Sequence, residues 1–486
     1  MSPPSTPSPR RPERHLWLGR LSLALLATCG AAGIALAASA AGCKSDDTTA
    51  GTGGAGGGST TFGTYTPEGC GYAVTLPTGI EAALGDDVGT GAPAHVHVSY
   101  AGPTDSSFAV NWQTDQATTA TTILYGTDEA AVTAATAATG SVLAQRGHTA
   151  VYTGLLGGPT RVHEAHVCGL AADTSYYYKV GGTGAWSPVY SVATGPIIGS
   201  TASYRIAVLG DSRDDPGVFA SLEELLYAQG AELVMFTGDA VQMGVDQNLW
   251  SAFFEAPGAN GSIASILAGV PLMVSNGNHE ALAVNYLMQF AMPQASGNGS
   301  AGKEWYSFDY ANAHFVVLND TTATPGLLDE QAAFLAADLA AVDRQTTPWV
   351  FAMHHRGLYS CSNHGSDLDL RDKWQPIYDQ YAVDAVFNGH DHNYERSLPI
   401  RGFDPGTTDG TVAATGANGA PVASSGTVYV VAGGAGAPLY GSGTCYHTQV
   451  SESVRNYVLL EIAGTTLSWR AYRLDGTLLD SFDYTK

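Results

Sequence analysis

The chain has 486 residues, 44% of them hydrophobic and 13% charged, so it is globular, not disordered, and long enough for two to three domains. Its formal net charge of -23 repels nucleic acid, and Lys and Arg form no run outside the N-terminus, so a nucleic-acid partner is excluded. Positive charge for any anionic ligand would then have to come from metal ions.

The chain opens with Arg10, Arg11, Arg14 and Arg20 preceding or entering an apolar run from Leu16 to Ala41, followed by Gly42 and Cys43. A basic flank, an apolar stretch and small residues before a cleavage point predict a secretory signal over residues 1–42. The small residues directly before Cys43 resemble a bacterial lipoprotein box, although Ala40 stands where Leu is usual. That resemblance implies a lipid anchor at Cys43. If the run instead stays as an uncleaved anchor, the arginines on its N-terminal side still leave the remainder outside. Residues 43–62, rich in Gly, Thr and Ser, cannot bury a core and are expected to form a flexible tether. Beyond the signal stand Cys70, Cys168, Cys361 and Cys445. An even number in an exported chain predicts two disulfides, and four cysteines allow three pairings. Cys70–Cys168 with Cys361–Cys445 is favoured, since each pair then lies within one expected domain.

Residues 63–200 read as an all-β domain. Short alternating runs such as His95–Tyr100, Phe108–Trp112, Thr121–Tyr125 and Tyr176–Val180 are separated by turn residues. Regular short strands without long helices predict a β-sandwich. Trp112 is expected in its core, and His95 and His97 on an exposed strand face. Leu170, Ala172, Thr174 and Tyr176 resemble the tyrosine corner of fibronectin type III domains, with Ala172 in place of a proline.

Residues 201–486 change character. Continuous apolar runs at Arg205–Leu209, Leu233–Phe236, Pro271–Ser275, Trp349–Met353 and Val383–Phe387 read as buried strands. Helical patterns at Phe219–Gln229 and Leu327–Val342 alternate with them, which predicts an α/β sheet covered by helices. Thr427–Ala432 and Tyr457–Tyr472 add further strands.

Each of the five apolar strands runs into a residue that can bind a metal. In chain order these ends are Gly210-Asp211-Ser212-Arg213, Gly238-Asp239, Asn276-Gly277-Asn278-His279-Glu280, His354-His355 and Gly389-His390-Asp391-His392. A Gly-Asp at one strand end is usually a turn, and one Asn-His a loop. Five in series at the same sheet edge, where open α/β sheets bind ligands, point to a metal centre. The donors are carboxylate, amide oxygen and imidazole without thiolate, which suits Zn, Fe, Mn or harder ions.

The order of these motifs resembles the calcineurin-like metallophosphoesterase superfamily. Asn388–Arg396 and Tyr306-Ser307-Phe308-Asp309 resemble its purple acid phosphatase branch. That branch also carries an N-terminal fibronectin-like sandwich, so the likeness covers nearly all of residues 90–486. The resemblance implies an α+β, four-layer metallophosphoesterase β-sandwich flanked by helices, preceded by the all-β domain. It implies two divalent or trivalent metal ions (Fe, Zn or Mn) and a small phosphate-ester substrate. Asp239 would bridge the ions, with Asp211 and His392 on the first and Asn278, His355 and His390 on the second. His355 is preferred to His354 because it stands four residues before Tyr359, as the family's ligand does in a His-x-Pro-x-Tyr segment. His279 and His364 are the candidate proton donors to the leaving alcohol. Glu395 and Arg396 are expected to hold the histidine loop as an ion pair.

Two positions depart from the family. Arg213 stands where it has a histidine ligand to the first metal, and Gln242 where it has the tyrosine that colours the ferric ion. The first metal is therefore expected to bind weakly and without colour, with water or Asp214 filling the gap. The other outcome open to Arg213 is to replace part of that metal's charge and clamp a phosphate oxygen. The expected function is hydrolysis of phosphomonoesters in acid-phosphatase fashion, through attack by a water that the metal ions acidify. The alternatives are a phosphodiesterase or nucleotide hydrolase on the same frame, and a catalytically weakened surface lipoprotein that binds a partner.

Overall fold

A computed structural model describes residues 61–486 except 260, 295–302, 322–325, 404–408 and 423. The expected signal, Cys43 and nearly all of the tether lie outside the described residues.

The N-terminal part is a sandwich of two antiparallel sheets. One runs in the order Thr61–Phe62, Ala82–Leu84, His148–Thr153, Pro159–Cys168, Ser107–Thr114, Ala94–Ser99; the other is centred on Ser175–Gly182 and Thr122–Gly126. Alternation along these strands sends Val98, Phe108, Val110 and Trp112 inward against Ile123, Tyr178 and Val180, all buried. The Tyr176 hydroxyl accepts the Ala171 N–H at 3.0 Å, closing the tyrosine corner without its proline. His95 and His97 are not exposed, as the sequence suggested. A register shift between Ala94 and His97, with His95 at φ +55°, turns them onto the C-terminal part. There His97 stacks on Phe254 at 4.3 Å and donates to the Gln289 carbonyl at 2.5 Å, while His95 meets Glu255 at 3.0 Å. Neighbouring tertiary structure covered a strand face that the local pattern left open.

Two sheets, not one, carry the apolar strands. The first has six strands in the order Leu272–Val274, Leu233–Phe236, Tyr204–Leu209, Asn456–Ala463, Thr466–Arg473, Leu478–Thr485. The second has seven and contains Ala313–Val317, Trp349–Met353, Ala385–Asn388 and Val428–Ala432 as a parallel core. The sheets pack face to face, with Phe387 stacked on Trp469 at 5.9 Å. Helices cover the outer faces: Pro216–Ala228 on the first, Leu327–Ala341 and Leu368–Tyr381 on the second. A strand covered by helix on one side and sheet on the other is as uniformly apolar as one between two helix layers, so the apolar runs could not separate them, whereas the four-layer sandwich implied by the family resemblance is the one found.

Cys70 pairs with Cys168 and Cys361 with Cys445, the favoured pairing. Among the described residues no helix is long and apolar enough to cross a membrane.

Candidate metal centre

The five strand ends meet at one edge of the two packed sheets. Parallel register aligns Tyr204–Leu209 with Leu233–Phe236 and that strand with Leu272–Val274, so Asp211, Asp239 and Asn278 emerge side by side. Trp349–Met353 and Ala385–Asn388 deliver the histidines from the opposite sheet. Asp211, Asp239 and His390 all adopt left-handed backbone, with φ of +62°, +57° and +70°. Such conformations cost on the order of 1–3 kcal/mol each for non-glycine residues and persist where the surroundings over-determine them. Each follows a glycine. At Gly389 a side chain is excluded, because a Cβ there would overlap Asp211 Oδ2 and lie 2.8 Å from Thr237 Oγ1.

Backbone carbonyls fix the imidazoles. His355 Nδ1 donates to Thr237 O at 2.8 Å, His392 Nδ1 to Pro438 O at 2.7 Å and His279 Nδ1 to Gln242 O at 2.8 Å. A carbonyl only accepts, so each Nδ1 carries hydrogen and each Nε2 faces the centre, the arrangement that orients histidine ligands. His355 Nε2 lies 3.0 Å from Asn278 Oδ1 and 3.4 Å from Asp239 Oδ2. The His390 ring stands 5.0 Å from that of His355. Burial lowers the His355 pKa, but the Asp239 and Asp211 carboxylates override it and hold it up at about 10. His355 Nε2 and the two buried oxygens it faces need one positive charge between them, supplied by a proton or by a cation that displaces it.

At the other position, one ligand atom each of Asp211, Asp239 and His392 lie within 4.8 Å of one another, all buried. Both Asp211 oxygens accept the His390 N–H at 3.0 Å. Arg213 reaches into this space, with Nη2 3.4 Å from His392 Nε2 and Nε 3.7 Å from Asp239 Oδ2. Asp214 Oδ2 accepts from Arg213 Nη1 at 2.8 Å.

Around the donors stand residues that sequence reading did not assign. Glu280 accepts backbone N–H groups of Asp239, Gly277 and Val241 at 2.8, 2.9 and 3.2 Å and so fixes the loops bearing Asp239 and Asn278. Asp391, between the two histidines, points away from the centre and accepts from Ser360 Oγ at 2.5 Å and His364 N at 2.9 Å. Tyr440 stacks on His392 at 3.9 Å. Glu280 and Asp391 could have been noticed, since they sit inside the motifs; Tyr440 sits in a Gly/Pro-rich loop that carries no signal. His354, the fallback ligand, is turned away and donates to Asp320 at 2.9 Å. Glu395 and Arg396 are not paired with each other. Strand alternation sends them to opposite faces, Glu395 to Cys361 N at 2.8 Å and Arg396 to Asp480 at 2.5 Å.

His279 Nε2 lies 3.8 Å from Asp239 Oδ2 at the rim, and His364 stacks on His390 at 4.0 Å. A cavity of about 350 Å³ opens beside His364 and His390, lined also by Arg356, Ser366, Asp367 and Asp369. A larger cleft of about 600 Å³ at Arg205 and Arg470 lies at the opposite end of the strand that carries Asp211, and its arginines pair with Glu461 and Asp483. Cys361, Cys445 and His447 also cluster, but the disulfide leaves no thiolate to bind a metal.

The paired sheets and the carboxylate, amide and imidazole donors at their common edge define a calcineurin-like metallophosphoesterase fold with an N-terminal sandwich. Family models agree: the purple acid phosphatase N-terminal domain matches residues 93–194, and calcineurin-like phosphoesterase matches residues 204–394. Purple acid phosphatase 18 of Arabidopsis thaliana is 29% identical over 320 residues, covering 63% of this chain and 67% of that one. Purple acid phosphatase 22 of the same plant is 32% identical over 248 residues, covering 49% and 54%. A solved purple acid phosphatase from yellow lupin (Lupinus luteus) seeds superposes with TM-score 0.67 at 22% identity, covering 82% of this chain and 75% of that one. The chain belongs to the purple acid phosphatase branch of the calcineurin-like phosphoesterases, and spans about half to two thirds of the length of the curated relatives it matches.

The family implies a dinuclear metal centre. The residues present fit a cation at the second position, where Asp239, Asn278 and His355 converge and His390 is adjacent. At the first position Asp211, Asp239 and His392 remain, but the Arg213 guanidinium shares their space.

Proposed function

We propose that this chain is an exported metal-dependent hydrolase of phosphomonoesters. The observation that carries this is the convergence of His355 Nε2, Asp239 Oδ2 and Asn278 Oδ1 inside a buried, family-matched centre. Cations held by these ligands would neutralise phosphate oxygens and acidify a water. The chain's own groups supply the remainder. Arg213 offers N–H donors to the phosphate, and bonds from a fixed guanidinium suit its geometry. His279, oriented by the Gln242 carbonyl, stands where a departing alcohol needs a proton. His364 forms the wall towards the side cavity, whose polar lining suits a hydrophilic leaving group.

Asp239→Asn tests this on the full chain. Hydrolysis of p-nitrophenyl phosphate is expected to fall at least about a hundredfold, because a carboxylate that would hold the cation is lost while its shape is kept. Unchanged turnover refutes the reading, and faster turnover of bis(p-nitrophenyl) phosphate than of the monoester replaces it with a diesterase. Export is supported by the two disulfides and the N-terminal pattern. Anchoring through Cys43 predicts that Cys43→Ala moves the protein out of the membrane fraction, and unchanged fractionation rejects it.

A further inference from the structure

The two departures from the family at the first cation position are joined in space. Arg213 Nη1 donates to Gln242 Oε1 and also to Asp214 Oδ2 at 2.8 Å. These two acceptors hold the guanidinium, and Tyr440, which stacks on His392, interacts with it as well. The Arg213 side chain is only 10% exposed. Its Nη2 faces the lone pair of His392 Nε2 at 3.4 Å, and its Nε faces Asp239 Oδ2 at 3.7 Å, beyond hydrogen-bond reach. That Nε–H is buried without a hydrogen-bond partner.

A cation at the first position would stand about 2.0–2.2 Å from His392 Nε2 and from the carboxylate oxygens. It would compete with Nη2 for one lone pair and sit beside the guanidinium's positive charge. Gln242 cannot offset this, because its amide oxygen is already engaged by Nη1. The position therefore does not fit the cation that the family implies. It does fit a guanidinium, whose Nη2 faces His392 Nε2 and whose charge lies beside the Asp239 and Asp211 carboxylates.

We propose that Arg213 takes the place of the first cation. The centre then holds one cation, on Asp239, Asn278, His355 and His390, and Arg213 presents its free Nε–H to an oxygen of the bound phosphate. This inference rests on the phosphoesterase reading, and metal counting separates the two. The full chain, purified without chelator and saturated in turn with Zn, Mn and Fe, is expected to retain one metal per chain by elemental analysis. Arg213→His restores an imidazole and is expected to retain two. Arg213→Met, nearly the same size and uncharged, is expected to take up a second metal more weakly and to lose about ten- to a hundredfold in affinity for inorganic phosphate, the loss of one charge-assisted hydrogen bond. With ferric iron, Arg213→His combined with Gln242→Tyr is expected to gain a visible tyrosinate band that the natural chain lacks.

Two metals in the natural chain, with hydrolysis intact, overturn this inference and leave the phosphoesterase reading standing. A single metal in both Arg213 variants also overturns it, since the guanidinium is then not what excludes the first cation. No metal and no hydrolysis under any loading overturns both.

Discussion

Asp480→Ala is expected to loosen the centre from a distance. Arg396 lies on the strand Tyr394–Ser397, directly after the histidine loop, and is fully buried. Asp480, on the last strand of the other sheet, receives Arg396 Nε at 2.5 Å and Nη2 at 2.9 Å, and the Tyr394 hydroxyl at 2.7 Å. The pair thus ties the loop that bears His390 and His392 across the sandwich. Removing the carboxylate strands a buried guanidinium, which costs roughly 3–5 kcal/mol. The Asn418 carbonyl, at 3.0 Å from Nη2, and the Phe482 ring, 4.7 Å from the guanidinium carbon, remain and place the cost near the lower end, about 3 kcal/mol. For a chain of this size that lowers the melting midpoint by roughly 3 °C. Guanidinium unfolding followed by tryptophan fluorescence measures it, because Trp469 donates to the Tyr394 hydroxyl in the same cluster at 3.3 Å. Arg396→Met with Asp480→Leu removes both charges and is expected to recover most of the loss, since an apolar pair of similar volume is often neutral. A single variant that loses less than about 1 kcal/mol, or a double variant no more stable than either single one, refutes the reasoning.

His314 is expected to make stability fall in mild alkali. Burial lowers its pKa, but Asp309 and Asp338, at 2.7 and 2.8 Å, raise it to about 9. A raised folded pKa gives stability that is complete below the ordinary value of 6.5 and is lost as pH rises through about 9. The shift is worth at most roughly 3 kcal/mol, cut to about 1–2 by solvent screening at the half-exposed Asp309. The natural chain should therefore lose that stability between pH 6.5 and 9, and His314→Gln should show a flatter profile there; equal slopes reject the assignment. Gly389→Ala pushes a methyl group into Asp211 Oδ2. It is expected to lower p-nitrophenyl phosphate hydrolysis by about ten- to a hundredfold, as misplaced ligands do, and wild-type turnover would contradict the close packing.

Much of this protein was legible in the sequence because the signals are local. Leu233–Phe236 and Trp349–Met353 are strands where the apolar runs stand, since a buried parallel strand needs an unbroken apolar segment. The candidate donors were legible as well, because each follows a strand at the edge where parallel strands leave their ends together, and the motif order resembles one family. Tertiary structure decided what depends on contacts between distant segments. Whether apolar strands form one sheet or two cannot be read from runs that are equally apolar in both cases; the two-sheet sandwich came from the motif resemblance alone. The burial of His95 and His97 required helices Gln247–Phe254 and Val284–Gln289 to pack against them. The partners of Glu395 and Arg396 were set by strand alternation and by a strand some eighty residues away in sequence. Sequence showed that Arg213 and Gln242 each depart from the family. Only the fold showed that they bind each other in the space of the first cation, since residues 29 positions apart meet there through parallel pairing of their two strands.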